Sequence, residues 1–175
     1  MRDFWVFGYG SLIWNPGFRY ERAEQAILYG AHRSLCIYSW IHRGTQSAPG
    51  LVFGLDRGGS CHGVAFHIAP ENIKQTVEYL REREQQTQVY LETYRSVKLT
   101  KSSRTIANVL AFVVDRSHTQ YAGALPLETQ LKIIRNAEGA SGKNHEYVAN
   151  TAVHLQELGI RDNKLDWLQR NLKDL

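Results

Sequence analysis

Strand-like patterning fills the chain from Asp3 to Ile68, and a helical period first appears only after Pro70. This order, strands first and helices last, is the strongest limit on the folds open to the chain. Asp3 to Tyr9 reads as a first strand, and Ala23 to Tyr38 as one long strand bent at Gly30. Leu51 to Leu55 and Cys61 to Ile68 flank Asp56-Arg57-Gly58-Gly59-Ser60, which is a hairpin signal. Behind Pro70, a good first-turn residue, Ile73, Val77, Leu80 and Glu84 recur at helical spacing. Strands are expected again over Tyr90 to Thr100 and Thr105 to Val114. Helices follow over Leu127 to Ala137, Lys143 to Leu158 and Asp162 to Asn171, with Gly139 and Gly159 as stops and Ser141 and Asp162 as N-caps. One central helix among strands joined by short turns predicts an α+β domain with a curled or partly closed sheet, not a doubly wound parallel one. No repeat or shift in composition marks a domain boundary within residues 1–175.

With 175 residues, 43% of them hydrophobic, the chain can bury a core without a disulfide or a cofactor. Cys36 and Cys61 lie in strand-like segments without CxxC spacing and read as buried, reduced side chains. Met1-Arg2-Asp3 leads straight into a strand with no signal-peptide core, which points to a soluble cytoplasmic protein. The net charge of +4 is dispersed, as in Arg81-Glu82-Arg83-Glu84, so neither a nucleic-acid groove nor a membrane surface is indicated. The seven histidines are scattered, without HExxH or His/Cys finger spacing, so no metal site is expected.

The first segment with chemical content is Trp5-Val6-Phe7-Gly8-Tyr9-Gly10-Ser11-Leu12-Ile13-Trp14. A strand that stops at two glycines and a serine can turn successive N–H groups toward one anion. A dinucleotide site needs a third glycine opening a helix, but the residues from Leu12 to Gly17 read as a continuing loop. A P-loop needs Gly-Lys-Ser/Thr, and a nucleophile elbow needs glycines where Tyr9 and Ile13 stand, so Ser11 is a poor nucleophile. The same glycines also suit a plain tight connection.

The central helix supplies a second feature. Glu84 lies eleven residues after Ile73, and eleven steps of about 100° return to within roughly 20° of the start, on the apolar face. A carboxylate there loses hydration at the negative end of a helix, which raises its pKa toward the range of a useful base. A helix frayed before Glu84 would leave it solvated. The third feature is Gly139-Ala140-Ser141-Gly142-Lys143-Asn144-His145-Glu146-Tyr147, a turn entering a helix. Tyr147 shares a face with Thr151, Leu155 and Leu158 and brings an inward hydroxyl, suited to a polar site or to an ordinary core hydrogen bond.

Taken together these segments resemble the ChaC-type, glutathione-specific branch of the gamma-glutamylcyclotransferase-like superfamily. The likeness runs through Val6 to Trp14, His42-Arg43-Gly44-Thr45 with Pro49 to Val52, Gly58 to Phe66, and Tyr79 to Glu84. It continues through Gln120 to Gly123, Ser141 to Tyr147 and His154 to Ile160. Gln46-Ser47-Ala48, Gln85 and Tyr90 to Tyr94 depart from the usual pattern.

The resemblance implies one gamma-glutamylcyclotransferase-like domain over 1–175, a small mixed β-barrel with helices around it. It implies that Tyr9, Gly10, Ser11 and Leu12 bind the amino-acid end of a gamma-glutamyl group, that Glu84 is the acid/base, and that Tyr147 lines the substrate pocket. In glutathione the alpha-amine can attack its own side-chain carbonyl through a five-membered ring, expelling Cys-Gly and leaving 5-oxoproline. No catalytic Ser or Cys, metal, other cofactor or obligate protein partner is then required. Other gamma-glutamyl amines or peptides are alternative substrates, and a non-catalytic sensor of gamma-glutamyl metabolites is an alternative role.

Overall fold

The computed structural model describes residues 3–84 and 88–172, so Gln85 lies outside the described residues. Among the described residues, seven strands and four helices follow in the order β1 (Phe4–Gly8), β2 (Arg22–Ser39), β3 (Gly50–Ile68), α1 (Ile73–Glu84), β4 (Tyr90–Leu99), β5 (Thr105–Val114), α2 (Leu127–Asn136), β6 (Glu138–Gly139), β7 (Gly142–Lys143), α3 (Asn144–Glu157) and α4 (Asn163–Leu172). None of these helices is long and apolar enough to cross a membrane. The expected α+β class holds, and the sheet is a closed barrel in the order β1-β3-β2-β4-β5. The chain packs as two units, residues 1–33 with 54–118 and residues 34–53 with 119–175.

In the first unit β1 runs antiparallel to β3, with Phe4 opposite Ile68 and Gly8 opposite Val64, and parallel to β5 at Val6 and Leu110. β4 pairs antiparallel with both β2 and β5. Closure leaves no free edge for β1, whose Trp5, Val6 and Phe7 are fully buried together with Leu28, Leu110 and Phe112. Each such side chain stabilises the unit by about 1.5–3 kcal/mol relative to exposure.

The Gly58-Gly59 signal is not a hairpin. β3 continues unbroken through it for 19 residues, with Gly58 at φ +94° and Gly59 at φ +71°. The Gly58 carbonyl oxygen lies 2.9 Å from His32 Nδ1 on β2, so this stretch stays engaged across the sheet. Positive-φ glycines serve a bend in a coiling strand as well as a two-residue turn, and the local sequence is the same for both. The bend expected at Gly30 is found, at φ +83° within the 18-residue β2.

In the second unit α2, α3 and α4 pack against one another, and Ile134, Leu155, Leu165 and Leu168 on these helices are buried. Asp162 caps α4 as expected, its Oδ1 accepting from Leu165 N at 3.1 Å, and Gly159 follows α3 at φ +69°. Gly139 and Ser141 have other places than those expected. α2 ends at Asn136, Gly139 pairs with Gly142 in a short hairpin, and the residue preceding α3 is Lys143. The hairpin supplies the break between helices that the glycine was expected to supply alone.

Asn144, with no exposed surface, ties α3 to β3: its Oδ1 accepts from Leu51 N and its Nδ2 donates to Leu51 O, both at 2.8 Å. Asn144→Ala leaves both backbone groups of Leu51 buried and unpaired, a cost of about 2–5 kcal/mol. Urea unfolding of the variant should show a loss in that range; a change below about 0.5 kcal/mol would mean the pair is not sealed from water.

Candidate functional site

In the first unit β1 ends at Gly8, and the chain turns through Tyr9 and Gly10 into a single 3₁₀ turn, Ser11–Ile13. Where a continuing loop was expected, a helical turn therefore starts at the serine. Gly10 O accepts from Ile13 N at 3.0 Å, and Ser11 O accepts from Asn15 N at 2.8 Å and Trp14 N at 3.3 Å. In a trans peptide the N–H of the next residue points opposite to the carbonyl. The N–H groups of Ser11 and Leu12 are thus directed back out of the start of the turn, as at any helix N-terminus.

The preceding carbonyl is fixed as well, because Arg33 on β2 donates from Nε to Tyr9 O at 2.5 Å. Arg33 Nη2 also donates to His62 O. Pulling the Tyr9 carbonyl toward Arg33 aims the Gly10 N–H the other way. Tyr9 and Leu12 are both buried, which holds the loop from beneath.

Two glycines set how closely this loop is seated. A Cβ on Gly8 would lie 3.0 Å from Phe66 Cε2 and 3.1 Å from Leu12 Cβ, and one on Gly63 would lie 2.4 Å from Gly8 O. β1 and β3 therefore approach at the mouth of the loop more closely than side chains there would permit.

Glu84 is the last residue of α1, and its side chain is 15% exposed. The helix does not fray before it, and the carboxylate is turned inward as the spacing predicts. Burial pushes its pKa up from the ordinary carboxylate value, and the neighbouring Arg83 opposes that shift. Arg83 Nε lies 3.5 Å from Glu84 Oε1.

Arg83, like Arg33, is a residue that sequence reasoning missed. Angular counting sets it off the apolar face of α1, yet its long side chain folds back to the loop. Nη2 donates to Ser11 Oγ at 2.9 Å, and Nη1 donates to Asn15 O at 2.7 Å and to Tyr79 Oη at 2.8 Å. The i,i+4 spacing of Tyr79 and Arg83 was the available signal. Arg83 thereby brings the loop and the inward carboxylate onto one cation.

The second unit holds Tyr147, 8% exposed, on α3. Its Oη accepts from Phe53 N at 3.2 Å, and its ring lies 5.3 Å beneath the Arg43 guanidinium. Two of the segments singled out in the sequence meet around it. Arg43 Nη1 donates to Lys143 O at 3.3 Å, His42 Nδ1 lies 2.9 Å from Ser141 Oγ, and Ser141 N donates to His42 O at 2.9 Å. A Cβ on Gly44 would fall 2.1 Å from Gly50 N, so the turn joining β2 to β3 is tightly folded on itself.

The family model for ChaC-like protein matches residues 4–175. The chain belongs to the ChaC-like family. It is 33% identical over 171 residues to the glutathione-specific gamma-glutamylcyclotransferase of Escherichia coli K12, covering 98% of this chain and 73% of that protein. It is 31% identical over 161 residues to the human glutathione-specific gamma-glutamylcyclotransferase 1, covering 89% and 71%. A solved structure of a gamma glutamyl cyclotransferase specific to glutathione from yeast superposes with a TM-score of 0.88 at 24% identity, over 99% of this chain and 97% of that one. The ChaC-like chain therefore has the barrel fold of that enzyme.

The raised pKa of Glu84 has a consequence for stability. A carboxyl whose folded pKa lies above its unfolded pKa binds more protons when folded, so the fold loses stability as pH rises between the two values. The loss is about 1.4 kcal/mol per pH unit of that interval. Glu84→Gln removes the ionisation, so its melting temperature should exceed the parent's at pH 8 and match it at pH 4. Equal melting temperatures at both pH values would contradict the buried-carboxylate assignment.

Proposed function

We propose that the chain is a gamma-glutamylcyclotransferase that cleaves glutathione to 5-oxoproline and Cys-Gly, with residues 1–175 working as one such domain. The observation that carries this reading is the pairing of an N–H-presenting loop with an inward carboxylate of raised pKa, both held by Arg83. Family membership and the names of the relatives support it.

In this reading the N–H groups of Gly10, Ser11 and Leu12 receive the alpha-carboxylate of the gamma-glutamyl group, in the wall formed by the buried Tyr9 and Leu12 side chains. Glu84 accepts a proton from the substrate's alpha-ammonium, freeing the lone pair that attacks the gamma-carbonyl, and gives that proton to the Cys-Gly nitrogen as the amide bond breaks. The second proton, shed as the lactam N–H forms, also ends on that nitrogen, so Cys-Gly leaves as an ammonium. A base whose pKa sits closer to neutrality transfers protons in both directions more readily than an ordinary carboxylate. The nucleophile is part of the substrate, so the protein's contribution is proton transfer and the folding of a flexible chain into attack distance, about 3–3.5 Å. Tyr147, in the second unit, accepts from Phe53 N through its hydroxyl, and its assignment to the substrate rests on the family resemblance alone. Cys36 and Cys61 are buried, and a cytoplasmic location is part of this reading.

Competition between reduced glutathione and simple gamma-glutamyl amino acids tests the substrate assignment. Glutathione should have the higher kcat/KM by tenfold or more. A gamma-glutamyl amino acid turned over better than glutathione would reassign the substrate, and ligand binding without turnover of either would replace the enzyme by a sensor.

A further inference from the structure

We propose that Arg83 is a positioning residue of this reaction, locking Ser11 and the Asn15–Pro16 exit of the 3₁₀ turn onto α1 beside Glu84. The inference rests on the reading of Glu84 as the acid/base and extends it to a group that the substrate need not touch.

The geometry is that of a fork closed on four partners. Nη2 holds Ser11 Oγ at 2.9 Å, while Nη1 holds Asn15 O at 2.7 Å, Pro16 O at 3.4 Å and Tyr79 Oη at 2.8 Å. Nε faces Glu84 Oε1 at 3.5 Å, and the guanidinium carbon lies 5.9 Å from the Tyr79 ring centroid. Only a planar guanidinium can meet acceptors on both terminal nitrogens and face a carboxylate with its Nε in this way; an ammonium is a point charge on a flexible stem. The side chain is 21% exposed; its bonds to Ser11, Pro16 and Tyr79 are half-buried, while the one to Asn15 O is exposed.

Two separate consequences follow from one side chain. Its contacts with Ser11, Asn15 and Pro16 fix the orientation of the turn, and therefore the direction of the Ser11 and Leu12 N–H groups that receive the substrate carboxylate. Its charge stabilises the ionised form of Glu84, against the burial that favours the neutral form. Among the described residues, Arg83 is the charged group acting on Glu84. A structural strut would supply the first effect alone.

The test compares the parent with Arg83→Met, Arg83→Lys and Glu84→Gln in glutathione turnover from pH 5 to 9. Arg83→Met should lower kcat/KM by about 10²-fold, with KM raised, because a loop displaced by an ångström loses alignment. It should also move the acid limb of kcat/KM to higher pH, since the base must be ionised and its stabilising charge is gone. Arg83→Lys should return the acid limb toward the parent's position while KM stays high, which separates charge from fork geometry and confirms that the variants fold. Parent-like KM and an unmoved acid limb in Arg83→Met, with Glu84→Gln inactive, would overturn the role of Arg83 alone. An active Glu84→Gln would instead overturn the reading of Glu84 on which the inference depends.

Discussion

Glu84→Gln is expected to reduce glutathione turnover by about 10²–10⁴-fold, the usual worth of a positioned acid/base, while leaving substrate binding largely intact. The amide is nearly isosteric with the carboxylate and keeps a hydrogen-bonding group at the end of α1, but it neither accepts the ammonium proton nor returns it. The place vacated by the charge is one where burial already disfavours ionisation, so the variant should fold at least as well as the parent at neutral pH. A large fall in kcat with KM little changed is therefore the expected pattern, because the lost interaction belongs to the transition state. A kcat within tenfold of the parent's would remove Glu84 from the chemistry.

Gly63→Ala should have an effect of comparable size through sterics alone. The new methyl would sit 2.4 Å from Gly8 O and 2.8 Å from Phe7 Cζ, and the carbonyl is backbone that cannot rotate away. Gly8 is the last residue of β1 and directly precedes Tyr9, so the end of the strand must move off β3 and carry the loop with it. Overpacking of this kind costs about 1–3 kcal/mol, and a loop shift near 1 Å about 10²-fold in rate. Chemical denaturation and steady-state kinetics on the same sample check both. Parent-like stability together with parent-like kcat/KM would show that the mouth of the loop is looser than its contacts indicate.

The sequence made the strand and helix succession legible because each long element carried its own period. Thr105 to Val114 and Leu127 onward could be placed from local pattern, and Glu84 from an angular count along α1. Gly58-Gly59 misled because a positive-φ pair suits a hairpin turn and a bend within a strand equally; what separates them is whether β3 stays engaged with β2, a long-range fact. Ser141 and Gly139 misled for a related reason, since a two-residue hairpin of β6 and β7 took over the boundary they were expected to make. Local pattern gave a curled or partly closed sheet and the family resemblance a small mixed β-barrel. The pairing that completes closure, β1 parallel to β5, joins Val6 to Leu110, far apart in the chain, and nothing local announces that partner.

For the site, the loop and the inward glutamate were legible because their chemistry is set by residue type and by position within one element. Arg33 and Arg83 were not, because their roles depend on which carbonyls a long side chain reaches from another element. The run Arg81-Glu82-Arg83-Glu84 read only as dispersed charge. One arginine of that run does pair outward, Arg81 with Glu92 at 2.7 Å, while Arg83 turns inward to the loop. The same four residues thus contain an ordinary surface ion pair and the clamp of the proposed site.

The most direct test of the central claim is to follow reduced glutathione with the purified protein in H₂¹⁸O and to analyse the products by mass spectrometry. Intramolecular attack predicts unlabelled 5-oxoproline and Cys-Gly in equal amounts, with no free glutamate, because water takes no part in breaking the amide bond. Labelled glutamate in place of 5-oxoproline would mean that water is the nucleophile and would contradict the account.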